Sequence, residues 1–209
     1  MIEVEVRGRV KNFEETLEKF RKDKEVRFVE EKDRFTMLFL RKGALPHVDK
    51  EHVKNELVDL RIRITNKKPE IVLKYGHLKG CEGRKEILIP IKSEDFSKAV
   101  ELLKLLEWSK GVTIATKSYI FMHKDIEFAL VRTTGLNYFE AEKVVHEKED
   151  ADQVINEIKE VCKEFDLNPI GEDEFFVLLE ELDKKQIQRD FNLSEQSFDE
   201  IKEHFKEYF

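Results

Sequence analysis

Glycine and proline are scarce in this 209-residue chain, with 8 and 4 residues, and no stretch reads as a flexible linker or low-complexity tract. That argues against tethered modules and for one large domain, or one domain with an appendage. Cysteine is scarcer still: Cys81 and Cys162 are two lone thiols without metal-ligand spacing. They imply no disulfide framework, which suits a reducing cytoplasm. No apolar run approaches membrane-spanning length and no secretory leader pattern opens the chain, so the expectation is a soluble cytoplasmic protein without a membrane partner. Positive charge is also in deficit. A formal net charge of −7 excludes a polybasic binder and disfavours nucleic acid. Any anion site must be a local concentration of Lys and Arg. The six histidines include only one loose pair, His47 and His52, so a histidine metal site is not expected.

Charge itself is abundant, at 40% of residues, beside 40% apolar residues that include 16 Phe. The opening stretch MIEVEVRGRV places a charge on every second residue: Glu3, Glu5, Arg7 and Arg9. On a β-strand such alternation gives one charged and one apolar face. Period-two patterning continues to about residue 145 and predicts strands at 2–11, 26–31, 34–41, 59–66, 70–75, 84–91, 112–123, 126–132 and 137–146. Helical periodicity predicts helices at 13–23 and 94–108, with Asn12 and Ser93 at the caps, and a short one near 49–57. After residue 149 the period turns helical: 150–166, a second helix after a Pro-Gly break, and a third capped by Ser194. The expected division is a strand-rich domain over 1–149 and a helical extension over 150–209 packed on it.

Charged faces recur from strand to strand. Arg61 and Arg63 alternate in DLRIRIT, Lys74 ends EIVLKYG, and Arg84 and Glu86 share a face in GRKEILIPI. Lys117 and Tyr119 pair in ATKSYIF, as do Glu140 and Glu142 in YFEAEKVV. An open sheet with one wet face would account for this without any function. A closed sheet would not. Apolar helix stripes must cover apolar strand faces, which turns the charged faces inward, and enclosed charges need counter-ions. The fold class expected is therefore α+β: a mainly antiparallel, closed or nearly closed barrel with helices outside. A cation on Glu3, Glu5, Glu140 and Glu142 and a polyphosphate on Arg and Lys would neutralise both sets.

The ordered set resembles the CYTH, or triphosphate tunnel metalloenzyme, family of thiamine triphosphatases, inorganic triphosphatases and class IV adenylyl cyclases. Glu3, Glu5 and Arg7 are similar to its Glu-x-Glu-x-Lys signature, Arg61 and Arg63 to its Arg-x-Arg strand, and Lys74 to the basic strand end that follows. Arg84 and Glu86, the late Lys117, and Glu140 with Glu142 complete the order over about residues 1–146. The resemblance implies a barrel tunnel and Mg²⁺ or Mn²⁺ on Glu3, Glu5, Glu86, Glu140 and Glu142. It also implies a triphosphate-containing small molecule on Arg7, Arg9, Arg61, Arg63, Lys74, Arg84 and Lys117. Four departures stand out: Arg7 replaces Lys, Tyr119 stands where Arg is expected, Leu88 replaces a second acid, and no Asp matches ahead of the last Glu-x-Glu.

Two classes of function follow. One is a metal-dependent triphosphate hydrolase in which Glu3, Glu5, Glu140 and Glu142 carry the chemistry, with an adenylyl cyclase using the same parts. The other is a non-catalytic nucleotide or polyphosphate module whose helical extension reports occupancy. Metal-dependent turnover separates them. A homodimer is compatible with either.

Overall fold

The computed structural model describes residues 2–41, 58–76, 85–133, 135–145, 151–184 and 188–209. The sequence-predicted helix at 49–57 lies outside them. The chain runs β1 (Ile2–Arg9), α1 (Phe13–Lys22), β2 (Val26–Leu40), β3 (Val58–Thr65), β4 (Lys68–Tyr75) and β5 (Lys85–Pro90). A 3₁₀ turn at Ser93–Asp95 leads into α2 (Phe96–Leu105), then β6 (Lys110–His123), β7 (Ile126–Arg132) and β8 (Asn137–Val145). The remainder is α3 (Ala151–Glu164), α4 (Glu172–Lys184), β9 (Gln188–Asn192) and α5 (Phe198–His204). The fold is α+β, with every ladder antiparallel.

The sheet runs β1-β8-β7-β6-β2-β3-β4-β5, with β9 added on β6. Five strand steps separate β8 from β4, about 24 Å in a flat sheet. Lys74 on β4 nevertheless acts electrostatically on Glu140 of β8. The sheet is therefore curled into a half-barrel, and its charged faces share the concave side. No ladder joins β1 to β5 among the described residues.

Apolar packing sets the curl. Val4, Val6, Phe121, Phe128 and Phe139 face outward beneath Phe13, Leu17 and Phe20 of α1 and Val154, Ile158 and Val161 of α3. A second outer core joins Phe35, Met37, Phe39, Ile62 and Ile64 to Phe96, Val100 and Leu103 of α2 and to Ile201 of α5. In β1, β3 and β8 the odd-even pattern thus sends apolar residues outward and charges into the concavity.

Several boundaries differ from the sequence-based expectation. The strands predicted at 26–31 and 34–41 form one strand, because the polar run between them has no Gly or Pro to turn the chain and keeps pairing with β6 past a bulge between Phe28 and Glu30. The helix predicted at 94–108 stops at Leu105, and Glu107 takes a positive φ of 67°. Ser93 opens the 3₁₀ turn rather than capping α2, whose N-cap is Asp95. The last helix is capped by Ser197, not Ser194, because Ser197 and Glu200 form a reciprocal capping box. Strand β9 was not expected; five residues are too few to display a period.

Not every helix lies outside. Beyond α3 the chain passes the free edge of β1, where the Ile170 amide donates to the Arg7 carbonyl at 2.8 Å. Gly8 is required at this crossing: a Cβ there would stand 2.3 Å from the Asn168 carbonyl oxygen. The crossing delivers α4 to the concave side, with Leu178 packed on Leu136, Tyr138 and Ile170.

Candidate functional site

Register decides which side chains meet. Across β1 and β8, Glu5 stands opposite Glu142, Arg7 opposite Glu140 and Arg9 opposite Tyr138. Across β3 and β4, Asp59 faces Lys74 and Arg63 faces Glu70; across β4 and β5, Lys74 faces Glu86. Directly paired residues share a face. These groups line the concave side.

Arg7 is the hub at one wall. Its Nη2 lies 2.6 Å from Glu5 and its Nε donates to Glu140 at 2.9 Å. The Phe175 ring of α4 covers the guanidinium at 5.0 Å. Burial pulls the Arg7 pKa down, but the Glu5 and Glu140 carboxylates outweigh it and raise the pKa above its ordinary value. For Glu140, burial favours the neutral acid, while Arg7, Lys74 and Arg34 together hold the carboxyl below its ordinary range. Tyr138 beside them is raised by burial and by Glu140, so it stays a phenol.

The opposite wall is a chain of ion pairs. Arg61 grips Asp59 through two bonds of 2.6 Å, Arg63 binds Glu70 at 2.6 Å and reaches Glu86 at 3.8 Å, and Lys74 lies 3.4 Å from Glu86. Side-chain exposures of 12% for Arg63 and 18% for Lys74 show groups ringed by protein yet still touched by water. Beyond Glu142 the face turns acidic: Glu127 stands opposite Glu142, and Lys32 approaches Glu30 at 3.6 Å and Glu127 at 3.8 Å. The concavity therefore has a carboxylate-rich end and a basic centre.

The sequence-predicted residues divide accordingly. Glu5, Arg7, Arg61, Arg63, Lys74, Glu86, Glu140 and Glu142 fall on the concave face. Glu3 pairs with Val144 in the same register, but its side chain lies outside the described set, as does all of Arg84. Arg9 sits on the same face but turns to α4, pairing with Glu181 at 2.7 Å. Lys117 is misplaced by the sequence reading. It stands opposite Asp33 and pairs with Glu31 at 2.5 Å, and it shares the outer face with Tyr119, which packs on Phe13. On β6 the concave positions are Thr116 and Ser118, since alternation moves Lys117 to the other side. Leu88 lies on β5 opposite Val72 and is 50% exposed. Sequence reasoning missed Arg34, which enters the concavity beside Thr65 and Thr116.

Among the described residues no three His, Cys, Asp or Glu side chains form a ready metal cage. The carboxylate end still has the donor chemistry of a hard-cation site, because Mg²⁺ keeps several waters and is usually held by one or two carboxylates plus substrate phosphates.

No family model matches this chain, and no curated protein matches it. Solved structures do. The PH1819 protein of Pyrococcus horikoshii OT3 is 24% identical, with a TM-score of 0.66 over 86% of this chain and 99% of that one. A Vibrio parahaemolyticus protein proposed to be an adenylate cyclase is 13% identical, with a TM-score of 0.59 over 80% and 90%. A chain of the Schizosaccharomyces pombe Mediator head module is 13% identical, with a TM-score of 0.52 over 81% and 98%. The family resemblance read from the sequence holds at the level of the fold.

Proposed function

We propose that the concave face binds a triphosphate and hydrolyses it with a divalent cation, Mg²⁺ or Mn²⁺. The observation that carries this reading is the convergence of Arg7, Arg34, Arg61, Arg63 and Lys74, from four separate strands, next to a carboxylate-rich end. A linear polyanion with a bound cation matches that charge order, and few other small ligands do. Glu5, Glu140 and Glu142, with Glu3 and Glu86, are the residues to hold the cation. When bound, it would polarise a phosphoryl oxygen and neutralise developing charge.

The chain's own groups do the rest. Arg61, Arg63 and Lys74 hold the phosphate chain, and Arg7 supplies a fixed positive charge where charge spreads in the transition state. Glu140 stays ionised at neutral pH, so it can accept a hydrogen bond from the attacking water and orient it. Its lowered pKa makes it a weak proton acceptor. Adenylyl cyclase chemistry ranks lower, because no adenine-recognition contacts are identifiable in the sequence. A cytoplasmic setting suits the buried Cys162, whose thiol burial pushes up to about 12.

A second reading, a binding module without turnover, draws on the fold's occurrence in a Mediator chain and on Leu88, Thr116 and Ser118, which carry no charge at concave positions. One assay separates the two. Tripolyphosphate, thiamine triphosphate and nucleoside triphosphates are incubated with Mg²⁺, Mn²⁺ or a chelator, and the products are separated. Hydrolysis should occur only with metal and release orthophosphate. Pyrophosphate with a cyclic nucleotide would mark a cyclase, and binding without any turnover would favour the second reading.

A further inference from the structure

Arg34 differs from every other cation of the basic centre. Arg7, Arg61, Arg63 and Lys74 each have a carboxylate within ion-pair distance. Arg34 has none among the described residues. Its Nε donates to the Thr65 hydroxyl at 3.1 Å, and the four N–H bonds of its two terminal nitrogens meet no protein acceptor there.

Register gives the reason. The partners of Arg34 are Thr65 on β3 and Thr116 on β6, hydroxyls where a structural ion pair would need acids. Burial and the neighbouring Arg63 and Arg61 guanidiniums weaken its hold on its proton, despite attraction from Glu140 and Glu70. A half-buried cation beside like charges, with idle donors, destabilises an empty protein. Such a group is costly as architecture. It is useful as an anion receptor, because a half-buried guanidinium on the concave face keeps its terminal donors unclaimed by the described protein groups.

We propose that Arg34 binds a phosphoryl group of the ligand in the concave site, supplying from β2 the positive charge that β6 withholds by presenting Thr116 and Ser118. The assignment rests on the triphosphate reading and sharpens it. It lengthens the basic surface from Arg7 and Arg61 toward the β3–β4 hairpin, so the ligand is an oligophosphate rather than a single phosphate. Arg34 positions the anion and takes no part in bond cleavage.

The test compares wild type with Arg34→Gln and Arg34→Lys, and with Lys98→Gln as a surface control. Lys98 is 78% exposed on α2, outside the site. Two quantities are measured: the melting temperature without any anion, and metal-free affinity for tripolyphosphate. Arg34→Gln should melt no lower than wild type, since it relieves repulsion from Arg61 and Arg63. It should also lose about tenfold or more in affinity, as expected for a charge-assisted contact, with Arg34→Lys intermediate. A marked drop in melting temperature for Arg34→Gln without anion would make the guanidinium structural and overturn the proposal. Unchanged affinity in Arg34→Gln, with wild type binding well, would overturn it while leaving the triphosphate reading intact. Failure of wild type to bind would remove both.

Discussion

Glu140→Gln and Glu142→Gln should each lower triphosphate turnover by on the order of 10²-fold while binding survives. Gln keeps the shape of Glu and one carbonyl oxygen but removes the negative charge. At Glu140 that charge is secured by Arg7, Lys74 and Arg34 against the cost of burial. After the swap Arg7 still has Glu5 at 2.6 Å, so the guanidinium is not left unpaired and the fold should hold. The basic centre becomes more positive, and triphosphate should bind at least as tightly when metal is low. Arg61→Ala should do the opposite. It removes a guanidinium and leaves the Asp59 carboxylate without its bidentate partner, so binding and turnover both fall. Single-turnover rates and direct binding on the same preparations separate the two effects. Full activity in the double Gln variant would contradict the role given to these carboxylates.

Phe20→Ala should destabilise the protein by about 3–5 kcal/mol, a large part of a typical domain's total stability. Phe20 is fully buried where α1 meets the outer sheet face. Its ring stacks on Phe165 at 4.2 Å, lies tilted against Phe121 at 5.2 Å and meets Phe128 edge-on at 5.3 Å. The side chain thus ties α1, two strands and the segment after α3 together. Removing it leaves a cavity that four separate elements cannot close by small shifts. Leu105→Ala is the comparison, since Leu105 is 73% exposed and should change stability by about 0.5 kcal/mol or less. Denaturant melts of both variants give the contrast directly. A Phe20→Ala protein as stable as Leu105→Ala would mean that the outer core does not set the curl.

The face of each strand was legible wherever charged and apolar residues alternate cleanly. In IEVEVRGR and VDLRIRIT one parity is apolar throughout, so Glu5, Arg7, Arg61 and Arg63 could be put on one face before any register was known. Arg34 was hidden because the run from Glu30 to Arg34 is charged at every position. Only pairing with β6, past the bulge at Phe28 and Glu30, settles which of those charges points inward. Lys117 was misread for a related reason. Its strand offers Lys117 and Tyr119 on one parity and Thr116 and Ser118 on the other, and both parities mix polar with apolar residues. Burial of Tyr119 under α1 decides the parity, and that is a tertiary fact. The stripe of α4 announced a docking helix without saying where it docks. Phe175 and Leu178 pack on Arg7 and Tyr138, an aromatic-cation contact and a half-polar surface, which hydrophobic periodicity alone does not encode.

The central claim is that one concave face is built for a chain of phosphates. Calorimetric titration of the metal-free protein with tripolyphosphate and with orthophosphate, at matched ionic strength, tests it most directly. Several basic groups spaced along the face should favour the longer anion, so tripolyphosphate should bind one per chain and about tenfold or more tighter, weakening as salt rises. Equal affinity for the two anions, or no binding of either, would contradict the account.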